Sequence, residues 1–384
     1  DMLVTRDNPL ATEMMSAFAA GGLGRHSQDQ LQSILAGRTV GLDLQSGPET
    51  FTAISQTTPA DLALQLQLMA AYLTDPGYRP EGETLYRQNA NNFFAQRFAT
   101  PVSALGTSLG GILSDDDPRF TFQKVEDYRA LTFARLKAAV QDRLQRGAIE
   151  LAVVGDIPED EAIALVARTF GALPAREAEF RPYSEQRLRP FTHDLSRRVI
   201  RHTGPADQAI VRFTWATRDG EDPIEAMTLE LLEKVMRIEL IETIREQLGK
   251  AYSPMASSET SRTWRGYGTF AVAASVNLTD LAATRAAMLA AVAELRARPV
   301  SADTLQRARE PMLEALDNAL KSNRSWLALV DRAQTRPDRI ERQLKARERL
   351  SALTAADVQN MARKYLAPER AVEIDVLPEG APVP

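Results

Sequence analysis

The chain has 384 residues, 44% of them hydrophobic and 25% charged, which is typical of a globular protein with enough length for two domains. Its 46 Lys and Arg are scattered among 51 Asp and Glu, so we expect no nucleic-acid partner, and no apolar run reaches the roughly 20 residues of a membrane span. The absence of cysteine excludes thiol catalysis, thiolate metal sites and disulfides.

The first residues, DMLVTRDNPL, lack the charged and then apolar pattern of a signal peptide. This favours a soluble chain that is either a mature product or a part of something longer. A protein without cysteine suits the periplasm and is also allowed in the cytosol, and of the two we favour the periplasm.

The early glycines at 21, 22 and 24 resemble a phosphate loop only superficially, because no strand precedes them and the G-x-G-x-x-G spacing is missing. A turn is the better interpretation. The three histidines are His26, His193 and His202, and no two have the spacing of three or four residues that puts two ligands on one helical face. We therefore expect no mononuclear zinc site within this chain.

A pattern of helix, proline break and second helix occurs twice along the chain. Its shared positions, at one constant offset, are Asp61-Leu62-Ala63, Met69 and Pro80 in the first copy and Asp280-Leu281-Ala282, Met288 and Pro299 in the second. Further on, Thr132 and Thr354 are predicted to cap helices that precede the apolar strands Ile149 to Val154 and Ala371 to Leu377. The sequence therefore predicts an internal repeat.

The acidic run 115–117 before Pro118 lacks the alternate spacing of a calcium loop, which favours a solvated turn. The proline-rich, charged stretch from Gly171 to Pro190 is typical of a linker. We accordingly predict a first repeat at 1–175, a linker at 176–195 and a second repeat at 196–384. His193-Asp194 does not indicate a serine hydrolase, because no G-x-S-x-G sequence is present.

Three segments of the second copy are rich in β-branched and aromatic residues: Gln208 to Thr217, Tyr252 to Glu259 and Gly266 to Val276, with a turn near Arg262 to Arg265. Because strands precede the paired helices in each copy, we predict an α+β fold. Each of its two homologous repeats is expected to be a mostly antiparallel sheet packed against helices on one face.

The segment from Asp222 to Pro254 predicts a long helix, with Asp222 as N-cap and Pro223 at the first helical position. An apolar face runs through Met227, Leu231, Leu232, Val235, Ile238, Ile241 and Leu248 until Gly249 stops the helix. Arg245 would lie in the last turn and Tyr252 at the start of the next strand. Such a pair could donate hydrogen bonds to peptide carbonyls, or could equally serve helix capping and sheet packing.

Residues 245–253, REQLGKAYS, resemble the R-x-x-x-G-x-A-Y-S signature in the second half of insulinase/pitrilysin zinc metallopeptidases. The stretch from Val153 to Pro174, ending in FGALP, resembles the end of the family's repeat. The resemblance implies a clam-shell peptidase whose two halves enclose a chamber. It also implies that Arg245 and Tyr252 of this chain reach across to substrate bound at the zinc of the other half.

The resemblance also identifies what is missing. Residues Glu13 to Ala17, EMMSA, occupy the approximate place of the family's H-x-x-E-H motif, and Gln88 to Gln96, QNANNFFAQ, lacks the third, carboxylate ligand. We therefore expect no metal or other cofactor in this chain, no catalytic residue in it, and no activity of the chain alone.

These features predict a non-catalytic half of a zinc metalloendopeptidase that forms chamber wall and clamps peptide substrate through Arg245 and Tyr252. Its expected partner is a zinc-bearing H-x-x-E-H half, as a separate subunit or in the same longer chain. One alternative is a scaffolding member of the fold without a peptidase role. Another is a stand-alone module that binds an extended peptide along a sheet edge.

Overall fold

The computed structural model describes residues 2–248 and 253–383, and the side chains of these residues except those of 245–248 and 253. It is a mixture of helices and a mostly antiparallel sheet, which confirms the predicted α+β class. The strands are β1 (Asp43–Ser46), β2 (Phe51–Ile54), β3 (Arg198–His202), β4 (Gln208–Thr217), β5 (Ser253–Thr260), β6 (Gly268–Asn277) and β7 (Val372–Pro378).

The α-helices of the described residues are α1 (Gln28–Ile34), α2 (Leu62–Thr74), α3 (Pro80–Gln96), α4 (Pro101–Leu113), α5 (Val125–Arg129), α6 (Phe133–Arg146), α7 (Glu159–Thr169), α8 (Pro223–Leu248), α9 (Leu281–Ala297), α10 (Ala302–Asn318), α11 (Asn323–Val330), α12 (Asp338–Ala352) and α13 (Ala355–Tyr365). None of these helices combines the length and the apolarity that a membrane crossing requires.

The chain forms two compact units. Each unit consists of three segments, and the segments of the two units alternate along the sequence. The first unit comprises Asp1–Phe94, Gln123–Gln186 and Ser322–Pro337, and the second comprises Ala95–Phe122, Arg187–Lys321 and Asp338–Pro384. These units do not follow the predicted boundaries at 175 and 195. The units are defined by contacts between distant segments, whereas the predicted boundaries were based on local composition. The two homologous repeats stay a prediction.

The second unit contains a five-stranded sheet in the order β3-β7-β4-β6-β5. Every neighbouring pair is antiparallel except β3 and β7. The predicted strands from Gln208, from Gly266 and from Ala371 are confirmed within two residues, as is the turn before β6. Strands β3 and β5 form the two edges.

One face of this sheet, the inner face, packs against α8, α9 and α13. Helix α8 is buried on more than one side, because it contributes Leu229, Leu231, Leu232, Val235, Met236, Leu240 and Ile244, each at most 1% exposed. The predicted apolar face included Leu231, Leu232 and Val235, and it missed the other four. A helix that contacts both a sheet and other helices buries more of its surface than one apolar stripe, so the predicted stripe underestimated its contacts.

The opposite, outer face packs against α4, which the sequence had assigned to the first repeat. Ala104 and Leu113 of α4 lie in one buried cluster with Ile200 of β3, Ile210 of β4 and three residues of β7, namely Val372, Ile374 and Val376. The expectation of helices on one face only was therefore wrong. Alternation along each strand leaves both faces apolar, and a helix distant in sequence covers the second one.

The predicted helix caps are present. Asp222 accepts from the amides of Ile224 at 2.9 Å and Glu225 at 3.2 Å. Thr132 accepts from the amide of Arg135, and Thr354 forms a reciprocal capping box with Asp357. These short side chains satisfy amide groups of the first turn that have no partner within the helix, which is why helix starts were readable from the sequence.

The first unit contains only one two-stranded hairpin among its described residues, β1 with β2. The predicted strand Ile149 to Val154 is wrong, because these residues have no ladder partner and no strand is assigned to them. Apolar β-branched sequence favours an extended backbone, but a strand also needs a neighbour. In this unit Glu49, whose side chain is 6% exposed, holds the segment Ser322–Pro337 through ion pairs with Arg332 and Arg336.

A four-residue ion network lies beside β7 on the inner face. The Asp375 carboxylate is fully buried and pairs with Arg197 and, at 2.7 Å, with Arg285 of α9. Glu373 completes the network at 2.7 Å from Arg285. A carboxylate without access to water depends on these cations, because an uncompensated buried charge is costly.

We expect Arg285→Met to lower the free energy of unfolding by about 3 kcal/mol, because it leaves Asp375 buried with one cation fewer. Urea denaturation measures this change. The control is Arg298→Met on the neighbouring chain segment, whose ion pair with Glu294 is exposed (77% and 55%) and is worth at most about 1 kcal/mol. Equal effects in the two variants would contradict the role assigned to the network.

Candidate functional site

The two predicted clamp residues lie outside what the structure describes. Arg245 belongs to the last turn of α8, which ends at Leu248, but its side chain is not among the described ones, and Tyr252 is not described at all. Strand β5 begins at the next residue, Ser253. Whether the two side chains converge therefore stays a prediction.

The elements on either side of this segment are well anchored. Leu240 and Ile244, the last described side chains of the buried face of α8, are 0% and 1% exposed. On the other side β5 pairs with β6 from Ser253 opposite Ser275 to Thr260 opposite Gly268. The clamp residues lie between these two anchors in the sequence.

At the place of the zinc motif, Glu13 to Ala17 forms a 3₁₀ helix whose apolar side chains enter a core. Met14, Met15 and Ala17 are buried with 2%, 1% and 5% exposure. Methionine and alanine cannot hold zinc there, since zinc in proteins is bound by His, Cys, Asp or Glu. The structure thus uses this segment for packing.

The one carboxylate of that segment, Glu13, is coupled to α3. Tyr86 donates from Oη to Oε1 of Glu13 at 3.3 Å. Although Glu13 is among the exposed residues, protein atoms desolvate its carboxyl and raise its pKa, while the Tyr86 hydrogen bond acts in the opposite direction. Desolvation and the Glu13 charge raise the pKa of Tyr86 in turn. No sequence pattern indicated this contact, because it joins two segments that are distant along the chain.

Aromatic rings surround the same segment. Phe18 lies 5.5 Å from Tyr78 in an edge-on arrangement, and Tyr78 lies 5.8 Å from Phe133 in the same manner. Burial raises the pKa of Tyr78 to about 12. These tyrosines are neutral at physiological pH, so the region is an apolar core.

The histidines do not converge. His26 and His193 are exposed, whereas His202 is fully buried in β3. Its Nδ1 accepts from the amide of Gly204 at 3.1 Å and its Nε2 lies 2.9 Å from the carbonyl of Gln208, so both ring nitrogens are engaged. Within residues 2–248 and 253–383, no three residues of the His, Cys, Asp and Glu types are grouped as a metal site would require.

The acidic run at 115–117 is a turn only in part. Asp115 and Asp116 are exposed and adopt φ values of 51° and 54°, a left-handed conformation that aspartate tolerates. Asp117 is instead buried and binds Arg119 through two hydrogen bonds of 3.1 and 2.8 Å. The expectation of a fully solvated turn was wrong for Asp117, because an arginine two residues on neutralises it.

We expect the purified chain to hold no stoichiometric zinc and to cleave no peptide, because Glu13 to Ala17 and Gln88 to Gln96 provide no ligand set. Metal analysis after dialysis against micromolar zinc, together with a fluorogenic peptide assay, checks both statements. One tightly held zinc per chain would overturn the assignment of these segments.

The raised pKa of Glu13 gives a second prediction. A carboxyl whose pKa is higher in the folded state contributes stability below its ordinary pKa of 4.5, and this is lost as the pH rises through the folded value. We therefore expect Glu13→Gln, which keeps an acceptor for Tyr86, to raise Tm at pH 7 and to leave it nearly unchanged at pH 4. Glu185→Gln, an exposed linker variant, is the control. A lower Tm at pH 7 would contradict this.

Comparison with known proteins gives a sequence match and a fold match. The family model described as "Peptidase M16 inactive domain" matches residues 130–312, just under half of the chain. Among curated protein sequences nothing matches significantly. The fold is similar to that of the periplasmic protease PqqL from Escherichia coli, with a TM-score of 0.78 and 16% identity over 98% of this chain.

Two further solved structures are similar to the chain. The ferredoxin protease FusC, solved in complex with Arabidopsis ferredoxin, has a TM-score of 0.79 and 13% identity over 98% of this chain. A peptidase M16 inactive domain from Pseudomonas fluorescens has a TM-score of 0.76 and 17% identity over 97% of this chain and 89% of its own.

The chain spans only 42% of PqqL and 41% of FusC, so it corresponds to less than half of either protein's length. At these identities the structural likeness shows the fold. The sequence match makes residues 130–312 similar to the inactive domains of M16 peptidases, that is, to the non-catalytic part of the insulinase/pitrilysin enzymes.

Proposed function

We propose that the chain is the non-catalytic half of a zinc metalloendopeptidase, where it forms chamber wall and clamps substrate peptide through Arg245 and Tyr252. The observation that carries the proposal is the R-x-x-x-G-x-A-Y-S sequence at 245–253, located where α8 gives way to β5. The match to an inactive peptidase domain supports the non-catalytic role.

The clamp has a plain chemical rationale. Guanidinium and phenol groups are fixed hydrogen-bond donors, and peptide hydrolysis places negative charge on the carbonyl oxygen in the transition state. Donors that are held in place before the reaction cost little reorganisation when that charge develops. The zinc, the two histidines and the general base would come from a partner half that carries H-x-x-E-H, either as a subunit or in the same longer chain.

The two homologous repeats are part of the same proposal. Helices α2 and α9 start at equivalent positions of the repeated pattern, and each is followed by a proline and a second helix, α3 or α10. Thr132 and Thr354 cap helices at a later point of each copy. An ancestral duplication would account for this recurrence, with the first copy having lost most of its sheet pairing.

Substrate and compartment follow by analogy alone. PqqL is described as a periplasmic protease, and FusC was solved with a ferredoxin bound. We propose by this analogy that the assembled enzyme acts on peptides or small proteins in the periplasm. A scaffolding role is the competing proposal, and it needs neither clamp residue.

The clamp is tested in the assembled enzyme, formed from this chain and a zinc-bearing H-x-x-E-H half. We expect Arg245→Ala and Tyr252→Phe each to lower kcat on a fluorogenic peptide by about 100-fold, because one donor to the developing charge is lost. Tm and co-purification of the halves should stay unchanged. Arg237→Ala, at an exposed position of the same helix, is the control and should retain activity.

The opposite pattern would decide against the clamp. If the two variants lose thermal stability while the remaining folded protein keeps its specific activity, the residues are structural. Full activity with unchanged stability in both variants would favour the scaffolding role.

A further inference from the structure

Strand β3 is a free edge of the five-stranded sheet, at the end opposite to β5. It is paired only with β7, in parallel, from Arg198 opposite Ile374 to His202 opposite Pro378. An edge strand exposes backbone donors and acceptors on its outer side, and these can pair with another extended segment.

The hydrogen bonds at the end of β3 define which of its residues point outward. The amide of Glu379 donates to the carbonyl of His202 at 2.9 Å, so the backbone of His202 points to β7. The amide of Thr203 points the other way and donates to the carbonyl of Phe98 at 2.8 Å. By the two-residue period of a strand, Val199 and Arg201 also point outward.

These outward groups are unused in the part of the chain that the structure describes. Neither Val199 nor Arg201 has a backbone hydrogen bond on its outer side there, whereas Thr203, two residues further, already pairs with Phe98. Val199 is 37% exposed. The edge therefore offers the amides and carbonyls of Val199 and Arg201 for pairing. They lie next to Thr203, whose amide already donates to the carbonyl of Phe98.

A cleft of about 800 Å³ lies along this edge. Residues 197–201 form one side of it, and Ser108 and Ile112, one turn apart on α4, form part of the other. The volume falls within the range of about 300–1,000 Å³ that is usual for ligand sites. The edge is thus bordered by a wall, which a merely solvated edge lacks.

The charges of the cleft are unevenly compensated. Arg197 and Arg198 are paired with Asp375 and Asp194, and Arg201 donates to the carbonyls of Pro378 and Ala381 at 2.9 and 2.7 Å. These are the guanidinium groups of the lining: the first two face carboxylates, and Arg201 is bound by neutral carbonyls.

Of the three carboxylates that line the cleft, Asp115 accepts from the hydroxyl of Thr192 and from the amide of His193. Asp116 and Glu379 also line the cleft, and within the described residues neither has a hydrogen bond or ion pair from its side chain. Helix α4 ends nearby at Leu113 and has no basic residue in its last turn, so the negative end of its dipole adds to the same potential. An occupant with positive charge is favoured.

We propose that the cleft between β3 and α4 binds an extended, basic peptide segment, which adds a sixth strand to the sheet through Val199 and Arg201. Asp116 and Glu379 contact cationic side chains of that peptide. This site is distinct from the clamp: it needs neither zinc nor Arg245 or Tyr252, and it lies at the opposite edge of the sheet from β5. It would hold a second stretch of a polypeptide substrate.

The test uses the complete chain and a fluorescein-labelled heptapeptide of alternating valine and threonine with a lysine at each end. We expect saturable binding by fluorescence anisotropy with Kd on the order of 10 µM. The same peptide with glutamate at both ends should bind at least about tenfold more weakly, and so should the lysine peptide N-methylated at alternate amides on its pairing side.

Two kinds of variant locate the peptide. Val199→Pro removes an outward amide, which proline tolerates at a strand edge, and should weaken binding about tenfold, whereas Val199→Thr should not. The double variant Asp116→Asn, Glu379→Gln leaves the backbone intact and should lower affinity for the lysine peptide specifically. Glu314→Gln, an exposed carboxyl on α10, is its control. Circular dichroism confirms that each variant is folded.

Several results would overturn the proposal. Absence of saturable binding up to millimolar peptide would make β3 a protected edge only. Unchanged binding by folded Val199→Pro and by the double variant would place the peptide elsewhere. Loss of binding in Arg245→Ala would assign the peptide to the clamp. Concentration-dependent dimers in sedimentation that Val199→Pro abolishes would identify a second copy of the chain as the occupant.

Discussion

The second unit depends on the burial of α8. Seven of its side chains are at most 1% exposed, and they pack between the inner face of the sheet and the surrounding helices. This burial fixes the rotation and the axial position of the helix, since a shift by one residue would drive polar side chains into the core. The last of the seven, Ile244, directly precedes Arg245, so the core packing sets where the signature sequence starts.

In the first unit, the segment Glu13 to Ala17 stands at the place of the zinc motif and packs into a core. Where zinc ligands would lie, methionine and alanine side chains complete an apolar core, and the remaining carboxylate of Glu13 accepts a hydrogen bond from Tyr86. Packing of this kind is incompatible with a hydrated divalent cation. The segment Glu13 to Ala17 therefore contributes to the core of this unit.

The two edges of the sheet have different surroundings. Strand β5 begins at the last residue of the signature sequence, whereas β3 borders a cleft with α4 on its far side. Helix α4 lies early in the sequence, in the segment Ala95–Phe122, and this segment belongs to the second unit. Helix α4 therefore covers the outer face of the sheet and forms the second wall of the cleft.

The sequence by itself determined several helix starts and strands. Proline and aspartate at 222–223 set the start of α8, threonines set two further helix starts, and β-branched residues located β4 and β6. The signature at 245–253 pointed to the family. These features are encoded within a few residues, because caps and strand alternation act over short distances.

Only the tertiary structure decided which distant segments meet. Three features join residues that are far apart in sequence: α4 belongs to the second unit, Glu49 pairs with Arg332 and Arg336, and Tyr86 contacts Glu13. The unpaired outer side of β3 likewise depends on how distant segments are arranged. The segment 149–154 has the composition of a strand and lacks a partner. Propensity is local, whereas pairing and burial depend on long-range packing, which one sequence does not reveal.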